Sequence, residues 1–236
     1  MASTLILIPA HNEQGRVGKV VDAVEAMGQL DDTLIVFTSD QGFAWGQHGF
    51  RHKMAPYDAN IKAPMLMRLP GLIPAGSVCE TPIGGHDIPP TFISLAGMEQ
   101  PWKMHGHDLT PLLRQPDTPC DRPLLMENTR YNFGEYTDCG CGEAENGLPW
   151  WVSLRRGKYK YIRWLVPGEI EEMYDLDEDP EELVNLALEP AHHGRLARFR
   201  QGTVDELRRT DAGMVDNLPP VMVLSKEQLL GGAGVP

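Results

Sequence analysis

The chain is 236 residues long, with 33 carboxylates against 21 lysines and arginines, a formal net charge of −12 and 42% hydrophobic residues. That length can bury a substantial core, as one large domain or a domain with a small appendage, and no segment approaches the apolar run needed to span a bilayer. The acidic balance excludes a general nucleic-acid binder, which presents a basic face, and any site for an anionic substrate must draw on local positive charge or a metal ion.

In chain order, Leu5 to Ile8 is a short apolar run closed by Pro9 and reads as a buried strand. Val17, Val20, Val21, Val24 and Met27 then recur at helical spacing, with Arg16, Lys19, Asp22 and Glu25 on other faces. Gly28 is placed to end that helix in the left-handed conformation. Leu34 to Phe37 is the next strand, so the opening third reads strand–helix–strand. A polar loop follows, carrying Asp40, Gln41, His48, His52 and Lys53, and Pro64 to Leu69 is a further strand stopped by Pro70-Gly71. Asp87 to Gly97 reads as a helix with Asp87 as N-cap, prolines in the first turn and Gly97 as its C-terminal stop.

From Arg122 the texture changes. Leu124 to Glu127, Trp150 to Leu154 and Tyr159 to Trp164 are short β-like runs with a turn signal at Arg156-Gly157, which predicts a small antiparallel sheet beside the main one. Gly134 to Leu148 is a glycine-rich acidic loop, Gly194 to Thr210 a charged amphipathic helix, and the last residues a loosely held tail. The expected organisation is a partial α/β core over 1–120, an antiparallel subdomain with its helix over 121–212, and a tail over 213–236. There is no internal repeat.

In an open α/β sheet, ligands and metals bind just beyond the carboxyl ends of strands, and Asp40 stands at such an end. A carboxylate and an amide oxygen side by side, Asp40 and Gln41, suit a hard cation such as Ca²⁺, and Lys53 downstream can hold an anionic group over that cation. An aspartate before a glycine also serves simply to cap a turn, and Asp40 admits that reading. The cysteines are Cys79, Cys120, Cys139 and Cys141. They allow three disulfide pairings, none of which the spacing selects, and Cys139-Gly-Cys141 is too tight for the usual zinc pair and suits a surface loop or a local redox pair. The N-terminus lacks a basic region and its apolar run, Thr4 to Ala10, is too short for a signal peptide. As given, the chain reads as cytoplasmic; a true start further upstream would open a secreted or periplasmic location.

Taken in order, these segments closely resemble the C-terminal half of the sulfatases, in the alkaline phosphatase superfamily. The resemblance rests on Asp32-Thr-Leu-Ile-Val-Phe-Thr-Ser-Asp-Gln-Gly42, then Gly46-Gln-His-Gly49, Lys53, Pro56-Tyr57 and Pro64-Met-Leu-Met-Arg-Leu-Pro-Gly71 in register. Asp87-Ile-Pro-Pro-Thr-Phe-Ile-Ser-Leu-Ala-Gly97, His105-Gly-His-Asp-Leu-Thr-Pro-Leu-Leu113, Lys158-Tyr-Lys-Tyr-Ile-Arg163 and Glu172 to Ala187 continue it, so that it spans roughly residues 15 to 190. It implies an α/β fold: a partial alkaline-phosphatase-like sheet with flanking helices plus a small C-terminal antiparallel sheet. It also implies that Asp40 and Gln41 fall on a pair of Ca²⁺ ligands, and that Lys53 falls on the lysine that contacts the sulfate, with His52 beside it able to touch substrate. A divalent cation and an ammonium would together neutralise a sulfuryl group and stabilise charge growing on its oxygens. His48 reads as a loop-packing residue, His86 as structural or part of the substrate rim, and His105 and His107 as packing positions. His11 and the His192-His193 pair have no supporting context.

The family's nucleophile stands in a Cys/Ser-x-Pro-Ser-Arg motif, the cysteine being oxidised to formylglycine, and no such motif occurs in this sequence. Cys79-Glu-Thr-Pro and Cys120-Asp-Arg-Pro have the wrong order and lack Ser-Arg. The first Asp-Asp metal pair is absent too. One wall of a site is therefore expected without the other, in a core sheet short of strands, with an unpaired edge and exposed apolar surface. That pattern fits a truncated or split enzyme for sulfated small molecules or carbohydrates, a chain that needs a complementary or self-associated partner, or a non-catalytic binding fragment of the same scaffold. Two other readings compete. Leu5 to Gly18 resembles the opening of family-2 glycosyltransferases, but the Asp-x-Asp that such an enzyme needs is found as Asp175-Leu-Asp177, inside the sulfatase-like closing motif. A phosphatase or phosphodiesterase of the superfamily would want histidine where Gln41 stands.

Overall fold

The computed structural model describes residues 14–129 and 148–222. The Leu5–Ile8 strand, His11, Cys139, Cys141 and most of the 134–148 loop lie outside the described residues, as does the chain beyond Met222. In order, the elements are α1 (Gln14–Ala26), β1 (Ile35–Thr38), β2 (Ala44–Trp45), β3 (Arg51–His52), α2 (Asp58–Ile61), β4 (Met65–Arg68), α3 (Ile88–Leu95), α4 (Thr110–Arg114), β5 (Leu124–Asn128), β6 (Trp151–Arg156), β7 (Tyr159–Trp164), β8 (Glu172–Asp175) and α5 (His193–Arg209). The mixture of helices and strands, with a small antiparallel sheet of four strands, agrees with the expected fold class. The described residues form two compact units, one built from 14–40 and 63–119, the other from 41–62, 120–129 and 148–222.

In the first unit, α1 ends in a Schellman motif: Gln29 N–H donates to Val24 O (3.2 Å) and Gly28 N–H to Glu25 O (2.8 Å), with Gly28 at φ 67°. The helix at 88–95 ends the same way at Gly97. β1 and β4 pair antiparallel with Phe37 opposite Leu66. These two side chains are 60% and 67% exposed, so among the described residues the two-stranded ladder carries an uncovered apolar pair.

Asp87 precedes α3 as expected, but its side chain does not cap that helix. The carboxylate is fully buried and accepts instead from Gly84 N–H (2.9 Å) and His107 N–H (2.8 Å). The reason is in the sequence. A capping side chain needs the N–H of the second or third helical residue, and here those residues are Pro89 and Pro90, which have none.

The second unit is built on the meander β5-β6-β7-β8, in which every pair is antiparallel. Residues directly opposite across an antiparallel ladder share a face, so the register sorts the side chains. One face carries Val152, Leu154, Tyr161 and Met173, packed with Leu196, Phe199 and Leu207 of α5. The other carries Asn128, Trp151, Ser153, Arg155, Lys160, Ile162, Glu172 and Tyr174, and it receives the 50–61 segment through Ala55 and Tyr57. Both faces are covered, which is why β6 is buried at four consecutive positions. After α5, Asp211 takes φ 58° as the turning residue, and Met214 is 3% exposed in the cluster of Trp150, Val152, Leu165 and Leu207. No helix among the described residues is long and apolar enough to cross a membrane.

Candidate functional site

Asp40 stands two residues past the end of β1, where Ser39 Oγ lies 3.3 Å from its Oδ1, and it is exposed. Gln41, half-buried, opens the second unit. The next residue, Gly42, lies hard against α2: a Cβ there would sit 2.5 Å from Ala59 O and 3.0 Å from Lys62 O. Glycine is what lets the chain leave Gln41 along this path. Ala44 is then fully buried and pairs with His52, while Trp45 pairs with Arg51. The Phe43 ring lies 4.8 Å from the Trp45 ring and meets His52 edge-on at 5.3 Å, so His52 sits in an aromatic edge next to Lys53.

The loop is held in an unusual backbone form. His48, His52 and Met54 adopt φ of 52°, 70° and 99°. Non-glycine residues in this region cost about 1–3 kcal/mol each and persist only where the surroundings over-determine them. For His48 the determinants are visible: its ring stacks on Tyr57 at 3.7 Å and 1°, and Nε2 lies 2.9 Å from Glu181 O. It packs the loop. On either side of Lys53 the backbone carbonyls are gripped by side chains. Asn60 Nδ2 donates to His52 O at 2.8 Å, while Trp151 Nε1 and Asn128 Nδ2 donate to Met54 O at 2.7 and 3.2 Å.

Beyond that grip, the polar residues of the same sheet face anchor 57–58. Glu172 accepts from Tyr57 OH (3.1 Å), Tyr174 OH (2.6 Å) and Trp164 Nε1 (2.7 Å). Burial, with Glu172 alongside, raises both tyrosines far above the ordinary phenol value, so they remain donors. Lys160, with no exposed side-chain surface, sits 2.8 Å from Asp58 and 2.6 Å from Glu182. Glu182 also accepts from Asp58 N–H at 2.6 Å. Its burial raises its pKa above the usual carboxylate value, against the lowering pull of Lys160. Several of these residues fall in the motifs that carry the resemblance, but none was read as an anchor from the sequence. The signal available was the alternation Trp151, Ser153, Arg155, which a committed register would have turned into a polar face.

Among the described residues no group of three or more His, Cys, Asp and Glu is placed to hold a metal ion. Asp40 and Gln41 are the right donor types for a hard cation, but Ca²⁺ takes six to eight oxygens. The donor chemistry fits, and the donor number falls short, so further ligands must come from elsewhere.

Residues 46–209 match the family model described as N-sulphoglucosamine sulphohydrolase, C-terminal. The chain is 33% identical over 171 residues to the N-acetylglucosamine-6-O-sulfatase of Bacteroides thetaiotaomicron, a match covering 72% of this chain and 29% of that protein. It is 32% identical over 179 residues to the choline-sulfatase of Rhizobium meliloti, covering 74% and 31%. The structure resembles that of BT4656 in complex with its substrate D-glucosamine-2-N,6-O-disulfate, with TM-score 0.70 and 28% identity over 86% of this chain and 39% of the other. It is also similar to the phosphonate monoester hydrolase of Agrobacterium radiobacter, with TM-score 0.65, 25% identity and 83% and 39% coverage. The chain spans about three tenths of the length of the curated relatives it matches. Family model, relatives and alkaline-phosphatase-like fold agree: the chain belongs to the sulfatase family, matching its C-terminal part.

Proposed function

We propose that this chain forms one wall of a sulfuric ester hydrolase site, in which Asp40 and Gln41 ligate Ca²⁺ and Lys53, with His52 beside it, holds the sulfate of a sulfated small molecule or carbohydrate. The observation that carries the reading is the loop around Lys53: strained φ values on both sides and carbonyls gripped on both sides, inside the segment that matches the sulfatase family. When bound, the cation would supply positive charge against the sulfuryl oxygens. Lys53 would donate to an oxygen that gains charge in the transition state.

The nucleophile-bearing wall is the complement of this one. The Cys/Ser-x-Pro-Ser-Arg motif does not occur in the sequence, and the exposed Phe37–Leu66 pair supports a covering partner, whether a complementary chain or a second copy. By itself the chain should therefore bind without turnover, as a binding fragment would. Gln41, in place of a histidine, favours sulfate over phosphate esters.

The test is a Ca²⁺ titration of the purified protein, followed by thermal melting alongside an aryl-sulfate assay. With so few protein oxygens, the affinity should be about millimolar or weaker, and saturation at 100 times Kd should add about 2.7 kcal/mol of stability. Asp40→Ala should lose that gain. An unchanged melting curve, or a gain that survives Asp40→Ala, overturns the metal assignment. Aryl-sulfate turnover that disappears in Lys53→Ala would show that a nucleophile lies within these residues.

A further inference from the structure

We propose that Trp151 and Asn128, together with Asn60, are positioning residues that fix the backbone of Lys53 so that its ammonium is held for an oxyanion. The inference deepens the sulfate reading of Lys53 and rests on it.

Lys53 lies between two residues in the left-handed region, His52 and Met54. Such a stretch relaxes to ordinary backbone unless something outside it prevents this. The restraint is not local. Asn60, itself 1% exposed, sends its Nδ2 to His52 O. Met54 O receives two donors, from Trp151 and from Asn128. Those two donors are directly opposite each other across the β5–β6 ladder, so a single cross-strand pair at the end of the sheet grips one carbonyl. Trp151 is 3% exposed and its N–H has that carbonyl as partner. An indole is a costly choice for a position that needed only apolar bulk, because its N–H must be satisfied when buried.

The neighbouring contacts point the same way. Ala55 is 1% exposed against Tyr57, Ile162 and Tyr174, so the chain plunges into the sheet one residue after Met54. The grip therefore ends where the packing begins, and Lys53 is the residue left half-buried between the two fixed carbonyls. On this account the small antiparallel sheet serves the site: its polar face is a template for the conformation of the lysine loop. Preorganisation of this kind matters because displacement of a catalytic group by about 1 Å costs on the order of 100-fold.

The test uses the full chain, inorganic sulfate as probe, and two readouts. Acylation of lysines by an amine-reactive reagent, mapped by peptide mass spectrometry, measures sulfate protection at Lys53, and hydrogen–deuterium exchange reports the backbone of 50–56. Trp151→Phe keeps a six-membered aromatic ring and removes the N–H with its five-membered ring. It should speed exchange in 50–56 and weaken sulfate protection at Lys53 by about 10-fold or more, with Asn128→Ala doing the same to a smaller extent. Ile162→Val, at a fully buried position of the same sheet face, is the control: it should lower the melting temperature and leave both readouts at wild-type values. Unchanged exchange and protection in Trp151→Phe, or equal losses in Ile162→Val, overturn the positioning role. Altered exchange in Trp151→Phe with no sulfate protection of Lys53 in the wild type leaves the backbone grip standing and overturns the sulfate reading of Lys53, and with it the role proposed for the grip.

Discussion

Replacing Lys160 by methionine should lower the stability of the protein by about 3–5 kcal/mol, the usual consequence of removing one partner from a buried ion pair. Lys160 has no exposed side-chain surface, and it is flanked by Asp58 at 2.8 Å and Glu182 at 2.6 Å, the latter 2% exposed. Methionine fills much of the same volume, so little of the loss would be cavity. The cost comes mainly from Glu182, left away from water without its cation, since Asp58 is 16% exposed and keeps Arg155 at 3.8 Å. Thermal melting should shift down by on the order of 10 °C. A loss under about 1 kcal/mol would mean that water or rearrangement relieves the carboxylates, as at a surface pair.

The same variant should show a distinct pH response. Burial already raises the pKa of Glu182 above its ordinary 4.5, while Lys160 pulls it down. Without the ammonium the folded-state value moves further up. A carboxyl whose folded value exceeds its unfolded value contributes stability that is present below the unfolded value and is lost as pH rises through the folded one. The deficit of Lys160→Met relative to wild type should therefore grow as pH rises above the ordinary carboxylate value of 4.5. A deficit independent of pH would assign the loss to packing and not to Glu182.

Gly42→Ala should remove the calcium response proposed for Asp40 and Gln41 and cost about 2–3 kcal/mol of stability, at the upper end of ordinary overpacking. The methyl group would stand 2.5 Å from the backbone oxygen of Ala59 in α2 and 3.0 Å from that of Lys62 just after it. Backbone in a packed segment yields far less easily than a flexible side-chain tip, so the clash must be relieved by lifting residues 41–43 away. Gln41 moves with them, and a ligand pair that has lost its spacing no longer suits one cation. Melting with and without Ca²⁺ measures both effects at once. Retention of the calcium shift would show that the path of the chain after Gln41 is not set by this contact, or that Gln41 is not a ligand.

Several of the longer strands and helices were legible in this chain because their signals are local, whereas the short β2, β3, α2 and α4 were not. The runs at 34–37, 64–69 and 159–164 appear as strands at 35–38, 65–68 and 159–164, and the amphipathic segment from 194 appears as the helix His193–Arg209. Gly28 and Gly97 stop their helices as their positions predict. β8 was legible only as part of the closing motif, since four residues of mixed polarity, Glu172 to Asp175, carry no clear period. Asp87 shows a signal over-read: the residue type suits a cap, yet two following prolines remove the donors it would cap.

What the sequence alone determined is the set of chemical groups and their family register: a carboxylate and an amide after a strand, a lysine downstream, and the succession of motifs that marks a sulfatase. What only the tertiary structure decided is how that lysine is held. Met54 is 74 residues from Asn128 and 97 from Trp151, and no periodicity of three or four residues, nor any turn signal, extends that far. The grip depends on which strands pair and in what register, because a slip by one residue sends Trp151 to the opposite face of the sheet. Local propensity chooses the elements, whereas the long-range pairing of the meander chooses which donors meet the lysine loop.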